Sequence, residues 1–282
     1  MTGIIKKTMP IWMLVFSLAC CGNAYAGSTL ILGAGLRYAP DYAGSDDYKV
    51  SPLPLINYKW TDDDAGQPNS GYAFQWGPMD LSVGFPDGID VGVARLARPT
   101  RNLTLRLGAG YRGGRDEDDN DALDGMGAID GQGILRVTLA DEPANPRGLG
   151  TFYGLRFEAD ATDETNGNTL SFYAGHKLAL SEDVTLALSA YADWANENYM
   201  QSYFGVSGKQ AAHSSHQRFD ASSGIAEVGL KARVNWSLTE HWMLIGNAGY
   251  SRLTGDAADS PLVDDEGAAD QFSVVTGLVY RF

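Results

Sequence analysis

Residues Gln271 to Phe282 read QFSVVTGLVYRF. Phe272, Val274, Thr276, Leu278, Tyr280 and Phe282 form one alternate set; Gln271, Ser273, Val275, Gly277, Val279 and Arg281 form the other. A period of two sustained over that length belongs to a single long β-strand with two unlike faces. The stretch ends in Tyr-Arg-Phe. In water a long, flat, aromatic-tipped edge invites aggregation. A barrel that closes on its last strand has no edge, and lipid lets its outer face be apolar throughout. The pattern resembles the C-terminal strand by which bacterial outer-membrane proteins are recognised for insertion, with Phe272, Leu278, Tyr280 and Phe282 as the candidate assembly signal. The competing reading is the buried last strand of a soluble sandwich.

The N-terminus bears on that choice. Lys6 and Lys7 precede an apolar run, Ile11 to Cys20, that is too short to span a bilayer, and Ala24-Tyr25-Ala26 offers small residues where a signal peptidase reads them. Residues 1–26 are therefore expected to be a cleaved secretory signal, leaving 27–282 as one domain. A lipoprotein signal at Cys20 or Cys21 is the rival reading, though neither cysteine follows a good small-residue lipobox. Cleavage after Ala26 removes both cysteines, so the exported chain carries no disulfide. It also removes Lys6 and Lys7, taking the formal charge from −14 to −16, which argues against nucleic acid as a partner. No later apolar run approaches the length of a transmembrane helix.

The rest of the chain repeats the alternation. Leu30, Leu32, Ala34, Leu36 and Tyr38 oppose Thr29, Ile31, Gly33, Gly35 and Arg37; Leu103, Leu105, Leu107, Ala109 and Tyr111 oppose Asn102, Thr104, Arg106, Gly108, Gly110 and Arg112. Further strands are expected at 50–58, where Pro52 and Pro54 argue for an edge or bulge, at 72–85, up to about Ala97, and near 131–140, 150–160, 168–180, 184–195, 224–236 and 241–253. With 271–282 this makes about twelve antiparallel strands, a single transmembrane β-barrel. Placing both termini on the periplasmic side puts most long connections (39–49, 113–130, 161–167, 196–223, 254–270) outside and most short ones inside, as outer-membrane barrels require. The exceptions are a short outer turn at Pro86-Asp87-Gly88 and longer inner turns at 61–71 and 141–149. Aromatics recur near strand ends, at Tyr38, Tyr58, Trp60, Trp194, Trp236, Trp242 and Tyr280, as interfacial girdles do. Arg106, Arg112, Glu227, Lys231 and Arg233 fall on faces that would line the lumen.

Long motifs carry a family resemblance. They are Asn198-Tyr199-Met200-Gln201-Ser202-Tyr203-Phe204-Gly205-Val206, Gln210-Ala211, the stretch Tyr250 to Val263 (YSRLTGDAADSPLV), Pro40-Asp41-Tyr42-Ala43-Gly44-Ser45-Asp46-Asp47-Tyr48 and Pro52-Leu53-Pro54. Through them the chain is similar to the MipA/OmpV family of outer-membrane proteins over nearly its whole exported length, less so in the acidic 113–130 loop. The resemblance implies an outer-membrane location. It also implies a scaffold role between a membrane-bound lytic transglycosylase and a bifunctional penicillin-binding protein; other members are linked to osmotic adaptation or adhesion.

Chemistry finds little footing. His213-Ser214-Ser215-His216 sets hydroxyls beside imidazoles, but adjacency in a loop supplies neither a base at hydrogen-bond distance nor a group to orient it. His176, on the face of Leu170, Phe172 and Leu178, is expected near the periplasmic girdle, and His241 in a tight turn. Asp116-x-Asp118-x-Asn120 resembles the start of a calcium loop, yet Asp121 and Gly127 occupy the positions where an EF-hand needs Gly and Glu. Loose divalent-cation binding by this acidic loop stays open beside a plain solvated loop. Gly33-x-Gly35 and Gly108-x-Gly110 lie within strands and read as small inward residues, not phosphate cradles.

The expectation is thus a non-enzymatic barrel without cofactor, contacting outer-membrane lipid, with a scaffold role first and a small ion or solute channel second. Its periplasmic docking surface would be the longer inner turns, with Asp62, Asp63 and Asp64 in one and Asp141, Glu142 and Arg147 in the other.

Overall fold

The computed structural model describes residues 28–61, 73–76, 89–145 and 147–282. The expected signal segment, the Asp62–Asp64 cluster and the Pro86-Asp87-Gly88 turn lie outside them. Among the described residues, twelve strands form a closed barrel in which each pairs antiparallel with its sequence neighbour and β1 pairs with β12. They are β1 (Ser28–Pro40), β2 (Tyr48–Thr61), β3 (Ala73–Trp76), β4 (Ile89–Ala97), β5 (Arg101–Arg112), β6 (Gln132–Pro143), β7 (Gly150–Asp160), β8 (Asn168–Ala179), β9 (Val184–Ala195), β10 (Gly224–Ser237), β11 (Trp242–Leu253) and β12 (Asp270–Arg281). The expected third strand, 72–85, is described only as the short β3. Pro52 and Pro54 do not interrupt β2, which pairs with β1 from Tyr48 to Trp60. Its ladder to β3 covers only Tyr58 to Thr61, so among the described residues neither proline is asked to donate there.

The alternation sorts side chains as read. Leu36, Tyr38, Leu107, Tyr111, Leu135, Val137, Leu139, Leu155, Phe157, Leu188, Leu230, Val274 and Leu278 are exposed along the outer wall. A contiguous apolar band of this extent is a liability in water and the ordinary outer surface of a lipid-spanning barrel. The other parity points inward and is buried or half-buried.

The two ends differ. One holds Ser28 and Phe282 and, among the described residues, the tight connections 98–100, 180–183 and 238–241 and the turn between β6 and β7; we call it the terminal end. Here Phe282 donates its backbone N–H to Leu30 at 2.9 Å, and Tyr280 packs against Trp242, His241 and Phe282 at ring separations of 5.0, 5.3 and 4.8 Å. The other, the loop end, carries the long connections, which fold. The motif at 198–206 forms a helix, Glu197–Phe204, capped by Asn196, with shorter helices at Gly208–Ala211 and Pro261–Asp264. Their apolar faces meet in two clusters. Met200, Phe204, Leu253, Ala257 and Val263 form the first; Tyr42, Leu123, Met126, Val206 and Leu262 form the second.

Candidate functional site

Three features could carry function: the lumen, its lid, and the terminal end. The lumen is lined unequally. On β1, β2, β11 and β12 the inward residues Ile31, Leu53, Leu55, Ile245, Val275 and Val279 pack together, with Met243 against them. Glycines make room for this. A Cβ at Gly277 would lie 2.4 Å from Leu55 Cδ1, and one at Gly33 2.7 Å from Val279 Cγ1, so the side chains of β2 and β12 close over bare backbone.

Across the barrel, β5 to β10 line the lumen with charge. Arg112 Nη2 donates to Glu158 at 2.9 Å and Arg136 Nε to the same carboxylate at 2.8 Å. Arg106 Nη2 reaches Glu142 at 3.1 Å. Glu227 accepts the Tyr191 hydroxyl, and Lys231 Nζ sits 3.9 Å above the Tyr191 ring. Arg233 lies on the same inward parity of β10. The five residues expected in the lumen thus lie on one side of it. Sequence reading missed Arg136, Glu158 and Tyr191, although Arg136 and Glu158 stand at inward parity on strands already identified. It also missed the aromatic-over-glycine pairs. Phe152 lies over Gly175, Tyr173 over Gly154 and Tyr191 over Gly229, each directly opposite on the neighbouring strand. A flat ring occupies the space a second side chain would take, which lets bulky groups fit a narrow interior.

The lid closes the loop end. Arg115 donates to the Tyr203 carbonyl at 3.0 Å, Gln210 to that of Met126 at 2.7 Å, Ser260 to that of Phe204 at 2.6 Å, and Gln271 to that of Ser45 at 3.0 Å. Gln132 Nε2 donates to the Tyr203 hydroxyl at 3.0 Å, and the Arg112 guanidinium lies 5.1 Å from the Tyr199 ring centre, joining lid to lumen. Burial governs the ionisation of these groups. The Tyr42 phenol is pushed up to about 12, Tyr199 and Tyr203 are raised, and Arg115 is lowered because its guanidinium is removed from water. The acidic loop takes part through its apolar residues Leu123 and Met126, while Asp116 and Asp119 cap its first turn and Glu117 accepts from Gly127. His213 Nδ1 and His216 Nε2 each bond a backbone carbonyl, of Lys209 and Ala122, both at 2.7 Å. Buried His216 ties two loops of the lid together, while the bond of exposed His213 is local to its own helical turn.

At the terminal end the turn expected to begin at Asp141 begins after Pro143, because β6 continues its pairing with β5 out to Arg101↔Pro143. Asp141 and Glu142 are therefore strand residues on opposite faces. Asp141, 5% exposed, sits on the outer wall beneath Arg98 and Arg101. Glu142 faces inward to Arg106. Arg147 lies in the turn and donates to the carbonyls of Ser181 and Glu182, at 3.1 and 3.0 Å, tying two turns together. On the outer face of β12, Phe272 and Leu278 are exposed, Tyr280 is half-buried, and Phe282 beyond it is 66% exposed.

Comparison with known proteins adds the family. The family described as MltA-interacting protein MipA matches residues 32–282. The MltA-interacting protein of Escherichia coli K12 is 23% identical over 98% of both chains. The putative outer membrane protein YiaT of the same strain is 30% identical over 44% of this chain, a match spanning 48% of that relative's length. Among solved structures, an outer membrane channel from Pseudomonas putida F1 is similar at a TM-score of 0.49 and 11% identity, over 92% of this chain and 97% of that one. The translocator domain of the autotransporter NalP from Neisseria meningitidis is similar at 0.42 and 12%, over 96% and 94%.

Proposed function

Because the chain belongs to the MltA-interacting protein MipA family, we propose that it is a non-enzymatic outer-membrane barrel that serves as a scaffold for murein enzymes. The partners would be a lytic transglycosylase, which the name MltA-interacting protein suggests, and with it a penicillin-binding protein. The loop end would face outward and the terminal end, with both termini, the periplasm. The observation that carries this reading is the occupied interior: an apolar cluster on one side, ion pairs on the other, and a packed lid above. A barrel so filled has its terminal-end turns and outer wall left for recognition. Docking would use the stretch that carries Asp62, Asp63 and Asp64 together with the turn that carries Arg147, where charge would steer encounter.

A channel for small ions is the second reading, favoured by the charge of the lumen wall, where Arg106, Arg112, Arg136, Lys231 and Arg233 face Glu142, Glu158 and Glu227. Planar-bilayer recording separates the two. Silence, together with crosslinked capture of a lytic transglycosylase from intact envelopes, supports the scaffold; reproducible single-channel steps without capture overturn it. Replacing Asp62, Asp63 and Asp64 by Ser should weaken capture, most at low salt, with barrel abundance unchanged. Capture equal to wild type would move the docking surface elsewhere. Phe282→Ala should lower the amount of inserted barrel by removing the aromatic end of β12, checked by heat-modifiable migration of outer-membrane fractions; normal abundance would refute Phe282 as an assembly residue.

A further inference from the structure

Two clusters of ionised side chains on the outer wall differ in their balance. At the loop end, Arg252 Nη1 donates to both oxygens of Asp270, at 3.0 and 2.8 Å, and the Tyr250 hydroxyl joins them at 2.7 Å. That cluster holds one cation and one anion. At the terminal end, Arg98 Nη2 and Arg101 Nε donate to different oxygens of Asp141, and Arg101 Nη2 also reaches the Asp141 carbonyl at 3.2 Å. That cluster holds two cations and one anion. The turn between β4 and β5 supplies Arg98, Arg101 opens β5, and the Arg98 N–H on the Arg101 carbonyl at 2.8 Å closes the turn. Asp141 is buried beneath them, whereas the Arg98 side chain is 43% exposed. The Arg101 guanidinium lies 5.0 Å from the centre of the outward-facing Tyr153 ring, and Leu139 and Leu155 continue the same face toward the middle of the wall.

A surplus guanidinium facing lipid is expensive in hydrocarbon and well matched by a phosphate at headgroup depth. Arginine's planar donors suit phosphate oxygens, and Asp141 engages only part of the five-donor set on each guanidinium. We propose that Arg98, Arg101 and Tyr153 form a binding site for the phosphate of an anionic phospholipid in the leaflet at the terminal end, with its chains lying along Leu139 and Leu155. Asp141 holds the two guanidinia in place. The site rests on a lipid-spanning barrel and is independent of whether the barrel is a scaffold or a channel.

The test uses the full chain in detergent, titrated with phosphatidylglycerol or phosphatidylcholine, with bound lipid counted by native mass spectrometry and the barrel verified by heat-modifiable migration. Phosphatidylglycerol should be retained over phosphatidylcholine and should survive excess inorganic phosphate. Arg98→Gln should lower its retention about fivefold, the effect of one arginine at a membrane surface. Since Arg101→Gln alone would strand Asp141, the second variant is Arg98→Gln/Arg101→Gln/Asp141→Asn, which should lower retention further. Arg252→Gln at the balanced cluster should leave it unchanged. Equal retention in wild type and Arg98→Gln, equal loss in Arg252→Gln, or no preference between the two lipids would overturn the site. Displacement by inorganic phosphate would overturn the lipid as its occupant.

Discussion

The two sides of one lumen are built on opposite terms. On β1, β2, β11 and β12 the interior is closed by Leu55 and Val279 resting over glycine backbone, with Ile245 packed in the same cluster. On β5 to β10 it is filled by Arg112, Arg136 and Glu158, and by Glu227 under Tyr191 and Lys231. The first depends on excluding water and on shape. The second tolerates water but depends on each charge keeping its partner. The same inward parity therefore answers differently to the same kind of change depending on which strands surround it.

Charging the apolar side gives the largest contrast. Val279→Asp should destabilise the barrel by about 5 kcal/mol or more, from about 1.5–3 for lost burial and about 3–5 for an uncompensated buried charge. Urea unfolding followed by tryptophan fluorescence would measure it. A cost below that of disrupting the charged side would mean the apolar cluster is wet. Glu158→Gln comes next. It removes the carboxylate shared by two arginines that are themselves mostly buried, and should cost about 3 kcal/mol in the same assay. Glu142→Gln breaks a pair whose side chains are 34% and 43% exposed and should cost under about 1 kcal/mol. Equal losses from Glu142→Gln and Glu158→Gln would erase the distinction between the depth and the mouth of the charged side.

The smallest effect concerns the lid. Burial raises the Tyr42 phenol from 10.0 to about 12, with Arg115 opposing the rise and Asp46 and Glu266 adding to it, so the folded lid keeps a proton that an opened lid surrenders near 10. Its contribution is complete below pH 10 and is lost as pH rises toward 12. Limited proteolysis of the 113–131 loop should accelerate across that window, and Tyr42→Phe should flatten the dependence. Unchanged cleavage rates in wild type across the window would show that Tyr42 does not hold the lid.

Much of this barrel was legible because alternation is a local property. β5, β7, β9 and β12 stand within a residue or so of where the period of two put them, and Leu107 and Tyr111 face outward as their parity requires. Their partners were not legible. Glu158 meets Arg136 on the adjoining strand and Arg112 two strands away, and nothing within β7 alone reveals which arginines those are. The apolar side was missed for a similar reason. Ile31, Leu55, Ile245 and Val279 each sit in an ordinary alternating strand, and only closure of β1 on β12 gathers them. The lid was the hardest to read, since Leu123, Met126 and His216 occupy polar stretches and become buried only when four loops meet.

The bond from Phe282 to Leu30 has a kinetic consequence. Among the described residues, eleven ladders join strands consecutive in sequence, and the ladder of β1 with β12 joins strands from opposite ends of the chain. Hairpins can zip one after another at low entropic cost, but that seam has to close a loop of nearly the whole barrel. Until it does, β1 and β12 both present raw backbone, and the cluster around Val279 lacks its other half. The seam is therefore the slow, exposed step of folding, and the stage at which an assembly catalyst would act to greatest effect.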